Sequence, residues 1–342
     1  MQQSPLVSLI IPCRNEAGFI GACLDSIVRN DLPRGQLEIL VVDGMSDDGT
    51  REVVRQYARR YPFIRLLDNP RRVTPAAMNM GIEHSSGGII ARLDAHSTCE
   101  PRYLSKCLAS LRETGADNVG GVWLIRPRRD TMMGRAIALV LSHPFGAGNA
   151  YYRTGTGKRR LVDTVPFGFY RREVLGRIGP FNEHLVRGQD MELNLRLVRA
   201  GGRILLDPEI ASQYYARSDF VTFLRHNLAD GYWVTYAARF AKLPVSWRHC
   251  VPLLFVLGLS GTLALSFVVP WFRWVSSMIM GTYSATAVYF SIRAAHDKRR
   301  AEYMISLPVA FATRHLAYGL GSSFGLVSLV ASKVRTAFTS RR

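Results

Sequence analysis

Cysteine is scarce in this chain and poorly placed for crosslinking or zinc. The five residues Cys13, Cys23, Cys99, Cys107 and Cys250 are odd in number and contain no C-x-x-C pair. This argues against a disulfide framework or a zinc knuckle and favours a reducing compartment. No G-x-G-x-x-G follows the first apolar run and no G-x-x-x-x-G-K-[ST] occurs anywhere, so neither a dinucleotide fold nor a P-loop is supported. The opening stretch MQQSPLVSLIIP has no basic n-region, and its apolar run is short for a signal-peptide core, so it reads as a first strand. Acidic residues are also in deficit. With 26 Asp+Glu against 44 Lys+Arg, the formal charge of +18 calls for an anionic partner: nucleic acid, a phosphorylated substrate or a membrane surface.

Length and composition then divide the chain. Its 342 residues leave room for two domains. The composition shifts near Cys250, where CVPLLFVLGLSGTLALSFVVP (250–270) carries no charge and has the length of a membrane-crossing helix. WVSSMIMGTYSATAVYFSI (274–292) is a second such run, and together they predict a hairpin. Arg239, Lys242 and Arg248 precede it, Arg293, Lys298, Arg299 and Arg300 follow it, and only Arg273 lies between, so both flanks are expected to be cytoplasmic. Trp271 and Trp274 suit the far interface. The third apolar region, 304–331, is interrupted by Arg314 and His315 and followed by Lys333, Arg335, Arg341 and Arg342. It is expected to be re-entrant or interfacial, with a third span as the alternative. The expected division is therefore 1–240, including membrane-proximal helices, and 241–342 as a membrane domain.

The first 240 residues alternate strand and helix. LVSLIIP and LEILVVD are near-continuous apolar runs, as expected for strands buried on both faces of a parallel sheet. EAGFIGACLDSIVRN and DDGTREVVRQYARRY have helical spacing, followed by IRLLDN as strand, TPAAMNMGIEHSS as helix and GIIARLDAH as strand. Such repetition predicts an α/β fold with a mostly parallel sheet flanked by helices, and ligands in such folds lie at the carboxyl ends of strands. The tips carry Pro12, Asn15 and Glu16; Asp43; Asn69, Arg71 and Arg72; then Asp94 and His96. If the fourth strand continues that far, Asp94 and His96 point the same way and form an oxygen–nitrogen clamp suited to Mn²⁺, or to Mg²⁺ less comfortably. A polar strand end capping the next turn explains them as well. In GQDMELNLRLVRAG, Asp190 stands at a loop-to-helix junction, Leu193 and Leu197 are spaced for burial and Gly201 or Gly202 is the stop. A carboxylate there is held ionised by the helix N-terminus, or serves as an N-cap.

These residues together resemble the inverting family-2 glycosyltransferases with the GT-A nucleotide-sugar fold. The resemblance runs from about Val7 to Pro208 through SLIIPCRNEAGFI, EILVVDGMSDDGT, AAMNMGI, ARLDAH, FGFYRREVLGRIGPFNE and GQDMELNLRLVRAGGRI, in family order. Asp-Ala-His and the apolar C-terminal region resemble its bacterial exopolysaccharide branch, which makes succinoglycan-type polymers.

The resemblance implies that Pro12, Asn15 and Glu16 line the nucleotide pocket, that Asp43 binds the base, usually uracil, and that Arg71 or Arg72 approaches the base or diphosphate. Asn79 would organise the same wall. Asp94 matches the first acid of the family's Asp-x-Asp motif and His96 replaces the second, so the implied Mn²⁺ or Mg²⁺ would rest on Asp94 and His96. Asp190 matches the general base of the Glu-Asp motif, with Gln189 in place of Glu and Glu192 as a weaker alternative. Many processive relatives carry Gln-x-x-Arg-Trp further on, whereas Arg225, Asn227 and Trp233 lack that spacing, which leaves Arg225 and Trp233 as acceptor-site candidates. The expected partners are a nucleotide-sugar donor, a lipid-linked acceptor and an anionic cytoplasmic (inner) membrane, with no nucleic acid, since the basic surplus flanks the apolar runs. A catalytically silent membrane scaffold that keeps the fold is the alternative, motivated by the altered acid motifs.

Overall fold

The computed structural model describes residues 6–241 and 246–339, the side chains of 334–339 excepted. Lys242, Arg341, Arg342 and the side chain of Arg335 lie outside the described residues. The chain forms two compact units, one from Met1–Leu124 and Tyr151–Tyr215, the other from Ile125–Ala150 and Ala216–Arg342. A cut at residue 240 is therefore corrected: helices at 132–142 and 220–236 pack with the C-terminal helices and belong to the second unit.

The sheet comprises β1 (Val7–Cys13), β2 (Leu37–Asp43), β3 (Ile64–Asp68), β4 (Ile89–Arg92), β5 (Ser97–Cys99), β6 (Asn118–Pro127), β7 (Arg160–Leu161), β8 (Phe169–Arg171) and β9 (Ile204–Ala216). Its order is β3-β2-β1-β4-β8-β6-β9-β5, with β7 on β9. Of these, β3, β2, β1 and β4 pair in parallel; β8 is antiparallel to β4 and β6, and β5 and β7 are antiparallel to β9. The sheet is thus mixed, and the expected mostly parallel order describes its first four strands. Of these, β1, β2 and β4 bury both faces, whereas the edge strand β3 exposes Arg65 and Asp68. In β1, Val7, Leu9, Ile11 and Cys13 enter one core cluster and Ile10 the other, while β2 divides Ile39 and Val41 from Leu40 and Val42 in the same way.

Helices α1 (Ala17–Val28), α2 (Thr50–Arg60), α3 (Thr74–Glu83) and α4 (Tyr103–Thr114) connect or flank these strands, with α7 (Tyr151–Thr154), α8 (Arg172–Ile178) and α9 (Gln189–Arg199) following. In α1 the buried Ile20, Cys23, Leu24 and Ile27 recur at the spacing of one helix face. Burial of each such side chain contributes about 1.5–3 kcal/mol. Asp48 serves two helix starts at once, accepting from Thr50 N and Oγ1 at 3.0 and 2.5 Å and from Ala17 N at 3.0 Å. It thereby ties the β1–α1 loop to the β2–α2 loop, the two walls at the strand tips.

In the second unit, α5 (Met132–Ser142) and the short α6 (Pro144–Ala147) precede α10 (Phe220–Tyr236), α11 (Trp247–Leu265), α12 (Phe272–Lys298) and α13 (Tyr303–Thr339). A Cβ at Gly231 of α10 would lie 2.0 Å from the Tyr318 carbonyl oxygen, and one at Gly321 of α13 would lie 2.1 Å from that of Leu228. Backbones that close admit glycine alone. The 304–331 region lies within one continuous helix, which corrects the re-entrant expectation. Arg314 donates to Gly146 O at 3.3 Å and to Asn227 Oδ1, and His315 meets Phe145 O and the Tyr283 hydroxyl, each at 2.9 Å, so the polar pair is satisfied without a break in α13. Among the described residues only α11 is long and apolar enough to cross a membrane. The second expected span falls within α12, a 27-residue helix short of that apolarity.

Candidate active site

Beyond the tips of β1, β2, β3 and β4 lies a cavity of about 180 Å³ whose lining includes Pro12, Cys13, Arg14, Glu16, Gly44, Asn69, Arg72, Arg92, Asp94 and His96. Six of the residues picked from the sequence, Pro12, Glu16, Asn69, Arg72, Asp94 and His96, thus share one surface. The fourth strand ends at Arg92, however, so Asp94 and His96 are not strand-tip neighbours: His96 lies in a turn before β5. The turn still delivers both to the cavity. His96 Nδ1 and Glu16 Oε1 are 2.9 Å apart, and Asp94 Oδ1 accepts from Arg92 Nη2 at 2.8 Å and Nε at 3.0 Å.

Other predicted residues serve the walls. Asp43 is fully buried: Ser46 Oγ and N donate to it at 2.5 and 2.9 Å, and Arg51 Nη1 at 2.8 Å. Its oxygens thus engage the β2–α2 loop, and Asp43 lies outside the lining of the cavity. Asn15, held at a φ of 54°, exchanges hydrogen bonds with Asp47 at 3.0 and 3.1 Å. Arg71 pairs with Glu183, and Asn79 binds Phe181 N and O at 2.8 and 2.9 Å and Glu183 at 2.9 Å. These three lie outside the lining and connect it to neighbouring loops.

Two lining arginines were missed by the sequence reading. Arg14 packs its stem against Gly44, where an added Cβ would sit 3.3 Å from it. Arg14 and Arg72 are exposed and, among the described residues, form no ion pair, leaving two cations available to an anion. The second omission, Arg92, is more consequential. Burial works against its charge, but Asp94 first and Asp190 next outweigh burial, so its pKa lies above the ordinary arginine value. The signal was present: Arg92 and Asp94 are two residues apart at the end of an extended run.

Asp190 lies in the first turn of α9, whose N-cap is Gly188 at a φ of 72°; Asp190 is not itself the cap. Its Oδ1 accepts from Met191 N at 2.9 Å. The carboxylate acts on Arg92 and also on Tyr170, where burial first and Asp190 second hold the phenol well above its ordinary pKa. One helical turn on, the fully buried Asn194 accepts from Tyr170 Oη and Asn118 Nδ2, each at 2.9 Å, and donates to Thr164 Oγ1 at 2.9 Å. This network anchors α9 to β8 and β6 and fixes where Asp190 stands. Glu192 is committed elsewhere, to Arg196 at 2.7 and 2.9 Å. The helix stop is as expected: Gly201 takes a φ of 78°, its N–H meets Val198 O at 3.0 Å, and Gly202 N–H meets Leu197 O at 2.9 Å.

The chemistry available is acid–base and electrostatic. Burial, then Asp43 and Glu16, push the Cys13 thiol far above its usual pKa, so it is a neutral group and a poor nucleophile. Arg225 and Trp233 lie on α10 of the second unit, Arg225 exposed and Trp233 beside Tyr232 and Tyr236 at ring distances of 6.1 and 5.9 Å.

Comparison with known proteins gives a consistent result. The family described as Glycosyl transferase family 2 matches residues 8–179. The chain is 33% identical over 215 residues to Glycosyltransferase AglE of Haloferax volcanii, covering 62% of this chain and 68% of that one. It is 26% identical over 329 residues, 94% of this chain and 97% of the relative, to the dolichyl N-acetyl-alpha-D-glucosaminyl phosphate 3-beta-D-2,3-diacetamido-2,3-dideoxy-beta-D-glucuronosyltransferase of Methanococcus voltae. The succinoglycan biosynthesis protein ExoA of Rhizobium meliloti is 29% identical over 318 residues, 92% of both chains. Among solved structures, the mannosyltransferase PcManGT from Pyrobaculum calidifontis, in complex with GDP-Man and Mn²⁺, superposes with a TM-score of 0.60 at 21% identity, over 95% of this chain and 87% of that one.

Proposed function

Because the chain belongs to glycosyl transferase family 2 and is a glycosyltransferase using a nucleotide-sugar, we propose that it transfers the sugar with inversion to a lipid-linked acceptor at the cytoplasmic membrane face, in exopolysaccharide or cell-surface glycan synthesis. The observation that carries this reading is the shared guanidinium: Arg92 pairs with Asp94 at the cavity and feels the charge of Asp190, which favours reading the two acidic centres, distant in sequence, as parts of one site. Enzyme membership sets aside the silent scaffold. The relatives' names include transfer to a dolichyl-phosphate-linked sugar and succinoglycan biosynthesis, which favours a lipid-linked or polymer-pathway acceptor.

In this proposal Arg14 and Arg72 meet the donor diphosphate, and Asp190 accepts the proton of the acceptor hydroxyl as it attacks the anomeric carbon. Arg92 keeps the two carboxylates apart in role by neutralising Asp94. Pro12 and Glu16 line the donor cavity; Asn15, Asp43, Arg71 and Asn79 shape its walls, and Arg225 and Trp233 are assigned to the acceptor. The residues fit a divalent cation completed by substrate: Asp94 and His96 share the cavity, and no group of three His, Cys, Asp or Glu side chains suited to a metal occurs among the described residues. Mn²⁺ suits the imidazole better than Mg²⁺. Bound there, the cation would neutralise charge on the departing diphosphate.

The donor is read as a UDP-sugar from the family resemblance, while the solved mannosyltransferase carries GDP-Man. Thermal unfolding of the full chain with Mn²⁺ and each UDP- or GDP-sugar tests this. One nucleotide class should raise the midpoint, since a ligand at about 100 times its Kd adds about 2.7 kcal/mol. Stabilisation by GDP-sugars alone would replace the uridine assignment, and stabilisation by neither would remove the proposed donor cavity.

A further inference from the structure

Glu16 was expected to line the nucleotide pocket, and it does border the cavity, but its side chain is directed to His96. Its backbone is pinned at the start of α1: Glu16 N donates to Thr50 Oγ1 at 2.9 Å, and Glu16 O accepts from Phe19 N and Ile20 N, each at 2.9 Å. The His96 ring meets the edge of Tyr214 at 5.5 Å and 64°, and Tyr214 in turn stacks on Trp123 at 4.2 Å and 8°. The imidazole is therefore restrained by a carboxylate at one nitrogen and an aromatic pair beside its ring.

An ionised carboxylate can only accept, so the contact places the imidazole proton on Nδ1. The lone pair then resides on Nε2, which has no partner among the described residues. Only that lone pair can ligate a cation, and a carboxylate behind the ring raises its basicity. Resting on the Asp94–His96 cation reading above, we propose that Glu16 is a positioning residue that fixes the His96 tautomer and so sets the site's preference for a Mn²⁺-like ion over Mg²⁺.

The test uses full-length protein with UDP and with GDP, titrated with Mn²⁺ and followed by EPR, with Mg²⁺ as competitor. Glu16→Gln should weaken Mn²⁺ binding about ten- to hundredfold, weaken Mg²⁺ binding less, and reduce the imidazole-nitrogen coupling seen by pulsed EPR, with thermal stability as a folding control. In a His96→Asp background the same substitution should change neither Mn²⁺ affinity nor selectivity, since no imidazole remains to orient. Unchanged Mn²⁺ affinity in Glu16→Gln, or an equal loss in both backgrounds, overturns the positioning role and leaves the cation reading standing. Absence of Mn²⁺ binding by the wild-type protein with either nucleotide overturns the cation reading and this inference with it.

Discussion

An arginine between two carboxylates determines what each can do. Arg92 is hydrogen-bonded to Asp94 and only electrostatically coupled to Asp190, so in the proposed mechanism Asp190 keeps lone pairs for an incoming hydroxyl. Asp190→Asn removes the proposed base and keeps the shape. Steady-state kinetics should show kcat reduced about 10²- to 10⁴-fold, with nucleotide affinity by calorimetry unchanged; wild-type turnover would remove Asp190 from the mechanism. At this scale the sequence was partly legible. Asp94, His96 and Asp190 stand out because each is polar immediately after or before an apolar run. Arg92 did not, because inside GIIARL it reads as an interruption of a strand. The contacts of Asp43 were hidden for a related reason: a strand-end acid shows nothing in sequence of the Ser46 and Arg51 side chains that bond to it.

The elements position these groups through buried polar contacts that no periodicity announces. Asn194 reads as the polar face of α9, yet it is fully buried and holds Tyr170, Asn118 and Thr164. Asn194→Ala would strand their polar atoms, costing about 1–3 kcal/mol. Chemical denaturation should detect that loss, and kcat should fall more than donor affinity, because Asp190 sits one turn away on the same helix. Glu38 does comparable work at β2, with its Oε1 accepting from Ser8 Oγ at 2.5 Å, Ser86 N at 2.6 Å and Gly87 N at 3.2 Å. Burial raises its pKa, but these hydrogen bonds outweigh burial and lower it. A depressed folded-state pKa means that the stabilisation is complete above the unfolded value, about 4.3, and is lost as pH falls through that value and below it. Thermal midpoints measured from neutral pH down through the carboxylate range should therefore fall more steeply for the wild-type protein than for Glu38→Gln. The parallel strands and α1 to α3 were legible from apolar runs and helical spacing. The antiparallel strands β5, β7 and β8 were not, since they span three, two and three residues, too few to show any period.

Over the whole molecule, the apolar surface and the charge make separable contributions. The second unit exposes Leu254 and Leu257 on α11, Trp271 and Trp274 at the following turn and α12, and Phe324 and Val327 on α13. A soluble monomer rarely exposes apolar patches larger than a few hundred Å², so this surface supports membrane contact as part of the proposed function. The sequence showed the apolar stretches themselves; it did not show that glycines would let α10 and α13 pack backbone to backbone, because that depends on a partner helix distant in the chain. The basic residues add an attraction to anionic lipid of about 1 kcal/mol for each Lys or Arg near the surface, and this part is screened by salt whereas burial of α11 in hydrocarbon is not. Flotation of the full chain with zwitterionic and anionic vesicles separates the two. The protein should float with both lipids at about 1 M salt, where the screening length is about 3 Å, and at low salt it should favour the anionic vesicles. Release from both by salt alone would show that charge carries the attachment and that α11 does not enter the bilayer.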